Sequence, residues 1–419
     1  MDKKKVFLWT LYDFANSIAI GVFFLYFSQW LVIDNHVADI WYNLIFVGST
    51  ILLVLTAPVI GLIADKRGVK MPFLRVTTIL QFVFLLASGI LAVVFPSHKG
   101  IILGSAVAFM IGNYFYQFTF TFYNAMLSDI APAKSHGLVS GLGQFGNFTG
   151  YIFGLALTLP LATGAIYLFG NSGRAQTFLP SVVLSFLFVL PVLLFFKENA
   201  QAKNVVVNLK QEYRNYISSF MELIRLPGMG RYLLAFFLFN DAMLTVVNNF
   251  PIFLEQVFKV SDKVKSLIAV GVFAMAAVGG LLGGWLGSRL GLKRSLLVIL
   301  ASWVVIFPIL GLLKNFVMFT VFCIILGILY GATWAITRAI MVYLSPRDKM
   351  NHAFSYYNLF ERFSTFVGPV SWGLITTLLV KSGPVRYRIA IASMAVFVLV
   401  GLIIIRKIPA GPADIKLNV

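Results

Sequence analysis

Charge is what this chain has least of. Only 11% of its 419 residues are Asp, Glu, Lys or Arg, against 59% hydrophobic ones, whereas soluble domains carry about 25% charged residues. That balance excludes an ordinary soluble enzyme or binding module and points to a polytopic membrane protein. Cysteine is nearly missing as well. Cys323 is the only one and lies in an apolar run, so no intrachain disulfide forms and the redox compartment is not legible. Acids are scarcer than bases, 15 against 33, which leaves a net charge of +18. No nucleic-acid motif accompanies this excess; the bases gather in loops between apolar runs, where they meet anionic lipid headgroups. The four histidines, His36, His98, His136 and His352, show no metal-ligand spacing. There is no GxxxxGK[ST] loop for ATP and no HExxH helix. No cofactor, metal or enzymatic chemistry is therefore expected, and without a large extramembrane domain a receptor role is not expected either.

What is present is a succession of apolar runs separated by short polar breaks. Twelve spans are predicted, near 6–33, 39–64, 73–96, 100–128, 137–160, 179–196, 232–257, 265–288, 295–313, 316–344, 353–380 and 385–405. The start, Met1-Asp2-Lys3-Lys4-Lys5, resembles the basic region of a signal peptide, but the run behind it is too long and has no small-residue cleavage site. It is expected to remain as the first span. Loops on the side of the termini hold 22 Lys and Arg, those on the other side 9, and Arg338 and Arg362 fall inside spans. This bias puts both termini in the cytoplasm. The expected fold is all-α and polytopic, with twelve transmembrane helices in two pseudo-symmetric six-helix bundles, 1–197 and 232–407. Between them runs a cytoplasmic linker, 198–231, and a cytoplasmic tail, 408–419, follows. Within the linker Leu209, Tyr213, Ile217, Phe220, Met221 and Ile224 recur at helical spacing, as in an amphipathic helix lying on the membrane surface.

Polar side chains inside the spans are the candidate functional residues. A carboxylate in an apolar span costs roughly 3 kcal/mol, so it faces a wet cavity or a partner. Asp13 is such a residue in the first run, within Tyr12-Asp13-Phe14-Ala15-Asn16-Ser17, and Asp241 is another in Phe236 to Phe253, beside Asn240 and upstream of Asn248 and Asn249. They read as twins facing one central pathway, each able to bind substrate, carry a coupling proton or cap a neighbouring helix. Asn16, Asn248 and Asn249 serve either the same site or interhelical contacts. Tyr116, Gln117, Tyr123 and Asn124, with Gln144 and Asn147, are expected to line the first half of a cavity. Arg338 and Glu361 sit about 9–12 Å in from the cytoplasmic ends of their spans. Either they pair as a gate salt bridge, or Arg338 recognises a carboxylate or phosphate, which its planar fork suits.

The halves repeat in three places. Gly61, Lys66, Gly68 and Lys70 after the second span match Gly284, Arg289, Gly291 and Lys293 after the eighth at identical spacing. Asn124, Pro132 and His136 are echoed by Arg338, Pro346 and His352. With the twin aspartates, this indicates a duplicated six-helix unit. The first hairpin adds Asp65 and Arg67, and its glycines, acid and bases fit a gate that forms and breaks; lipid anchoring is the plainer role for the lysines.

Gly61 to Lys70 resembles the signature hairpin of the major facilitator superfamily, and Gly284 to Lys293 its second-half copy. Val69 stands where a base is usual, and Ser288 replaces the acid of the second copy. More narrowly, four segments resemble the vacuole-effluxer (autophagy-related) family and its bacterial relatives. These are Tyr12 to Ser17, Phe122 to Ala125 with Asp129 to Pro132 and Val139 to Gly143, Phe239 to Asp241, and Phe366 to Pro369. The resemblance implies a secondary transporter moving a small polar solute across the cytoplasmic membrane by alternating access. For the fungal relatives it implies amino-acid export, so amino-acid efflux coupled to protons is the expected activity. The alternative is another small anionic metabolite, a nucleoside or a sugar, with Arg338 as the anion anchor. The partners expected are the solute, membrane lipids and protons; no nucleic acid is expected, and a monomer suffices.

Overall fold

A computed structural model of the chain describes residues 2–94, 98–130, 136–169, 173–198, 208–344, 356–357, 359–361 and 363–408. Among these residues every regular element is helical. The predicted contributions of Pro132, His352, Arg362, the Asp65 side chain and the tail beyond Ile408 lie outside the described residues.

Among the described residues, eleven helices are long and apolar enough to cross a membrane. They are α1 (Lys3–Asp34), α2 (Asp39–Arg67), α3 (Met71–Val94), α4 (Lys99–Ala125), α5 (His136–Ala162), α6 (Phe178–Phe195), then, after the linker helix α7 (Leu209–Arg225), α8 (Met229–Phe258), α9 (Asp262–Leu290), α10 (Leu292–Leu312), α11 (Phe316–Leu344), and finally α13 (Val385–Arg406). Asp2 caps α1 by accepting from the backbone N–H of Lys4 at 3.0 Å and Lys5 at 3.3 Å. Toward its far end α1 widens into π-helical turns at Phe23–Phe27 and Trp30–Asp34. The predicted span 353–380 departs from the rest. A helical stretch reaches Phe363, residues 364–366 leave the helix, and a new helix, α12 (Val367–Leu378), begins. Pro369 explains the break: it lacks the N–H that a continuous helix would donate to Thr365, and its ring would strike that carbonyl. In the first turn of a new helix the missing N–H costs nothing.

The chain divides into two compact units, Met1–Arg214 and Asn215–Val419, parted within α7. In the first, α1 packs against α5 and α6. The approach to α5 is close because Gly146, Gly150 and Gly154 lie against the carbonyls of Thr10, Phe14 and Ile18, and a Cβ at any of them would enter van der Waals contact distance. In the second, Gly279 and Gly283 of α9 and Gly327 and Gly331 of α11 do the same for that pair. The linker helix α7 is amphipathic as its spacing predicts. Phe220 packs on Tyr356 and Phe360, with ring centroids 5.3 and 5.9 Å away, and Tyr213, Ile217 and Met221 form an exposed stripe.

Candidate functional site

Both aspartates are buried, and each sits in the same place within its own unit, against a glycine of the fifth span. A Cβ on Gly143 would lie 3.3 Å from Asp13 Oδ2, and one on Gly368 3.0 Å from Asp241 Oδ1. Their hydrogen-bond partners differ in kind.

Asp13 is 3% exposed. It accepts from the Tyr123 hydroxyl of α4 at 3.2 Å and from Asn147 Nδ2 of α5 at 3.3 Å. Tyr123 is fixed by stacking on Trp9, with centroids 4.3 Å apart, and the Trp9 indole donates to the Tyr123 carbonyl at 3.1 Å. A polar seam continues along α1 toward α3. Tyr12 and Thr78 hydroxyls meet at 2.8 Å, and Gln81 Nε2 donates to Asn16 Oδ1 at 2.5 Å. Asn16 Nδ2 and Gln81 Oε1 are buried there without a partner, as is Ser17 Oγ on the side of α1 that meets Gly150 of α5. Of the other residues expected along this half, Tyr116 and Gln117 are buried, Asn124 is half-buried and Gln144 exposed.

Asp241 has no exposed surface, and backbone groups hold it. The N–H of Phe366 donates to Oδ1 at 3.2 Å and that of Gly368 to Oδ2 at 2.7 Å. These are orphan donors at the start of α12, and the carboxylate meets the positive end of that helix. Its neighbour Asn240 holds the other side of the break, where Nδ2 donates to the Glu361 carbonyl at 3.3 Å. The adjacent pair Asn240-Asp241 therefore clasps both ends of the interrupted span. Asn248 is buried on the same helix, and Asn249 donates back to the Thr245 carbonyl at 3.0 Å.

Arg338 on α11 is half-buried and Glu361 is 9% exposed. Both act on the Tyr357 hydroxyl, Arg338 as a hydrogen-bond partner. That phenol also meets Thr337 Oγ1 at 3.0 Å, and its ring stacks on Phe236 at 4.6 Å. Arg338 lies over the Trp334 ring, 5.5 Å from its centroid.

The two hairpins share one feature that only glycine supplies cheaply. Gly68 and Gly291, at matching positions, have φ of 69° and 84°. The matching lysines each reach a helix C-terminus. Lys70 Nζ donates to the Ala125 carbonyl at 2.8 Å and pairs with Asp129 at 2.7 Å, and Lys293 Nζ donates to the Arg406 and Ile408 carbonyls at 3.1 and 2.5 Å. Both lysines thus have protein partners. Gly61 and Lys66 are half-buried, while Arg67, Gly284 and Arg289 are exposed, Arg289 lying 5.6 Å from the Trp285 ring centroid. Ser288 turns back on its own helix, donating to the Trp285 carbonyl at 2.7 Å.

The sequence profile described as the Major Facilitator Superfamily matches residues 10–369 and again 232–418. The chain belongs to that superfamily. One relative resembles it along nearly its whole length, another over about a third. It is 22% identical to the MFS-type transporter YxiO of Bacillus subtilis (strain 168), over 96% of this chain and 94% of that one. It is 26% identical to autophagy-related protein 22 of Kluyveromyces lactis, over 37% of this chain and 33% of that one. Among solved structures, a bacterial homologue of the human lysosomal transporter Spinster, inward-facing and unoccupied, superposes with a TM-score of 0.73 at 16% identity, covering 98% of each chain. The D-xylose–proton symporter superposes with a TM-score of 0.71 at 14% identity, covering 99% of each chain. These likenesses establish the all-α facilitator fold and multi-pass membrane insertion.

Sequence reasoning missed three groups. Glu198 accepts from the backbone N–H of Lys70, at 2.8 Å, and Met71, at 3.0 Å, and so caps α3 beside the first hairpin. Its signal was an acid at the end of the sixth span. Lys265, at the first position of the predicted span 265–288, is buried between Glu255 at 2.5 Å and Asp262 at 2.7 Å. Gln81, the partner of Asn16, is a polar residue in an apolar run that hydropathy averages away.

Proposed function

We propose that this facilitator exports amino acids across the cytoplasmic membrane by alternating access, with both termini in the cytoplasm, and that protons drive the cycle through Asp13. The observation that carries the reading is the pair of donors on Asp13. A phenol hydroxyl and a carboxamide can each turn from donor to acceptor. The carboxyl group therefore keeps partners with or without a proton, which a proton carrier in a low-dielectric span requires. Asn16 and Gln81, each with an unpaired polar atom, support a polar solute or water reaching this seam. Amino acids as the solute follow from the likeness of Tyr12 to Ser17 and Phe239 to Asp241 to the vacuole effluxers. Lys70 and Lys293, docked on helix ends beside the hairpin glycines, suit contacts that exchange during the cycle.

The test is efflux of labelled amino acids from proteoliposomes, with and without an imposed pH gradient. The expected result is gradient-stimulated efflux in the wild type. Asp13→Asn is expected to lose the gradient response while still exchanging amino acid for amino acid. Efflux of no amino acid, or a gradient response unchanged by Asp13→Asn, contradicts the reading.

A further inference from the structure

We propose that the second unit holds the carboxylate of the transported solute at Arg338 and the Trp334 indole N–H. The assignment rests on the transport reading above and adds which residues take the acid end. Tyr330, Trp334 and Arg338 are four residues apart on α11 and share one stripe. Tyr330 and Trp334 have ring centroids 5.9 Å apart, and the Arg338 guanidinium continues the ladder over the indole. All three are half-buried, whereas Val317, Met318, Val321 and Ile324 give the same helix an exposed apolar side. A guanidinium on a membrane helix belongs in a wet cavity, not in acyl chains.

Two features make this a site for a ligand. Trp334 Nε1 is buried with no acceptor, in contrast to Trp303 Nε1, which donates to Thr333 Oγ1 at 3.0 Å. Buried donors are almost always paired, and an orphan beside a cation points to an absent anion. The guanidinium has five N–H donors in a planar fork and lies over the indole, 5.5 Å from its centroid. A carboxylate has an oxygen for each donor group.

The charge nearby selects among anions. Glu361 acts on the same Tyr357 hydroxyl as Arg338. One arginine with a carboxylate close by suits a singly charged carboxylate and disfavours a dianionic phosphate. For a zwitterion, Glu361 would also attract the ammonium group. The clasp at Asn240 holds the Glu361 backbone through the 3.3 Å bond to its carbonyl.

The experiment uses the purified full-length protein and follows its melting temperature. The probes are the twenty protein amino acids, their carboxamides and decarboxylated amines, inorganic phosphate and uridine. At least one amino acid is expected to stabilise the protein, and its carboxamide and amine are not. Trp334→Phe keeps the ring stack and removes only the N–H, and is expected to raise the half-saturating concentration about ten-fold or more, as is Arg338→Lys. Trp285→Phe is the control, because Trp285 and Arg289 have the same spacing and a similar 5.6 Å separation on an exposed surface. Wild-type affinity in Trp334→Phe, stabilisation by phosphate or uridine in place of any amino acid, or no binding of any carboxylate overturns the proposal. Proteoliposome flux of whichever probe binds then shows separately whether the transport reading stands.

Discussion

The substitutions Asp13→Asn and Asp241→Asn make the same chemical change at corresponding places in the two units, and the structure predicts unequal results. At position 241 the carboxylate serves two backbone N–H groups, of Phe366 at 3.2 Å and Gly368 at 2.7 Å. An asparagine offers one carbonyl oxygen, and its NH2 faces the second donor. The unsatisfied N–H costs about 1–3 kcal/mol, and losing the charge at the start of α12 costs about 0.3–1 kcal/mol more. The total is roughly 1–4 kcal/mol, felt where α12 begins. At position 13 the partners are the Tyr123 hydroxyl and the Asn147 amide. Both reorient, so an asparagine there keeps paired groups at a cost of about 1 kcal/mol or less. Hydrogen exchange read by mass spectrometry on the segment spanning Phe366 and Gly368 measures the difference directly. Asp241→Asn is expected to speed exchange of those amides about ten-fold or more, and Asp13→Asn to leave them unchanged. Wild-type protection in Asp241→Asn, or equal loss in both variants, refutes the clasp.

The other predictions concern packing and buried charge. Gly150→Ala and Gly331→Ala each drive a methyl into a facing backbone carbonyl, of Phe14 and Ala276, and are expected to lower stability by about 1–3 kcal/mol or more in thermal unfolding; Gly284→Ala, with nothing within 4 Å, is expected to be silent. Lys265→Met leaves Glu255 and Asp262 facing each other without their buried cation, and a loss of about 3–5 kcal/mol is expected. Adding Glu255→Gln and Asp262→Asn to that variant is expected to restore much of the loss. Glu198→Ala strips the cap from α3 and is expected to cost about 1–2 kcal/mol in the same assay, because the two N–H groups lose a charged acceptor.

What could be read in advance divides along physical lines. Helix number and the duplication were legible because apolar runs of about 20 residues, punctuated by loops, carry the information locally. The hairpin glycines were legible for the same reason: Gly68 and Gly291 occupy matching positions in both copies, and both adopt positive φ. The roles of Asp13 and Asp241 were not legible. Their partners lie more than 100 residues away in each case, and nothing local distinguishes an aspartate met by Tyr123 and Asn147 from one met by the N–H groups of Phe366 and Gly368. The interrupted span could have been noticed. Ser364-Thr365 followed by Gly368-Pro369 is a break signal, but the apolar residues around it kept the run continuous in hydropathy. The burial of Lys265 has no local signal, because its two acids come from different helices, Glu255 near the end of α8 and Asp262 at the start of α9.

Alternating access, as proposed above, requires that polar residues inside these spans line a path opened to one side of the membrane and then to the other. The single native cysteine has no exposed surface, so the chain is already close to a cysteine-free background. Gln144→Cys on α5 places a thiol at an exposed position among the expected cavity residues. Membrane-impermeant maleimide, applied to right-side-out or inside-out vesicles, is expected to label that thiol from either side, with transported amino acid changing the two rates in opposite directions. Labelling from one side only, under every gradient and with every amino acid, would contradict alternating access.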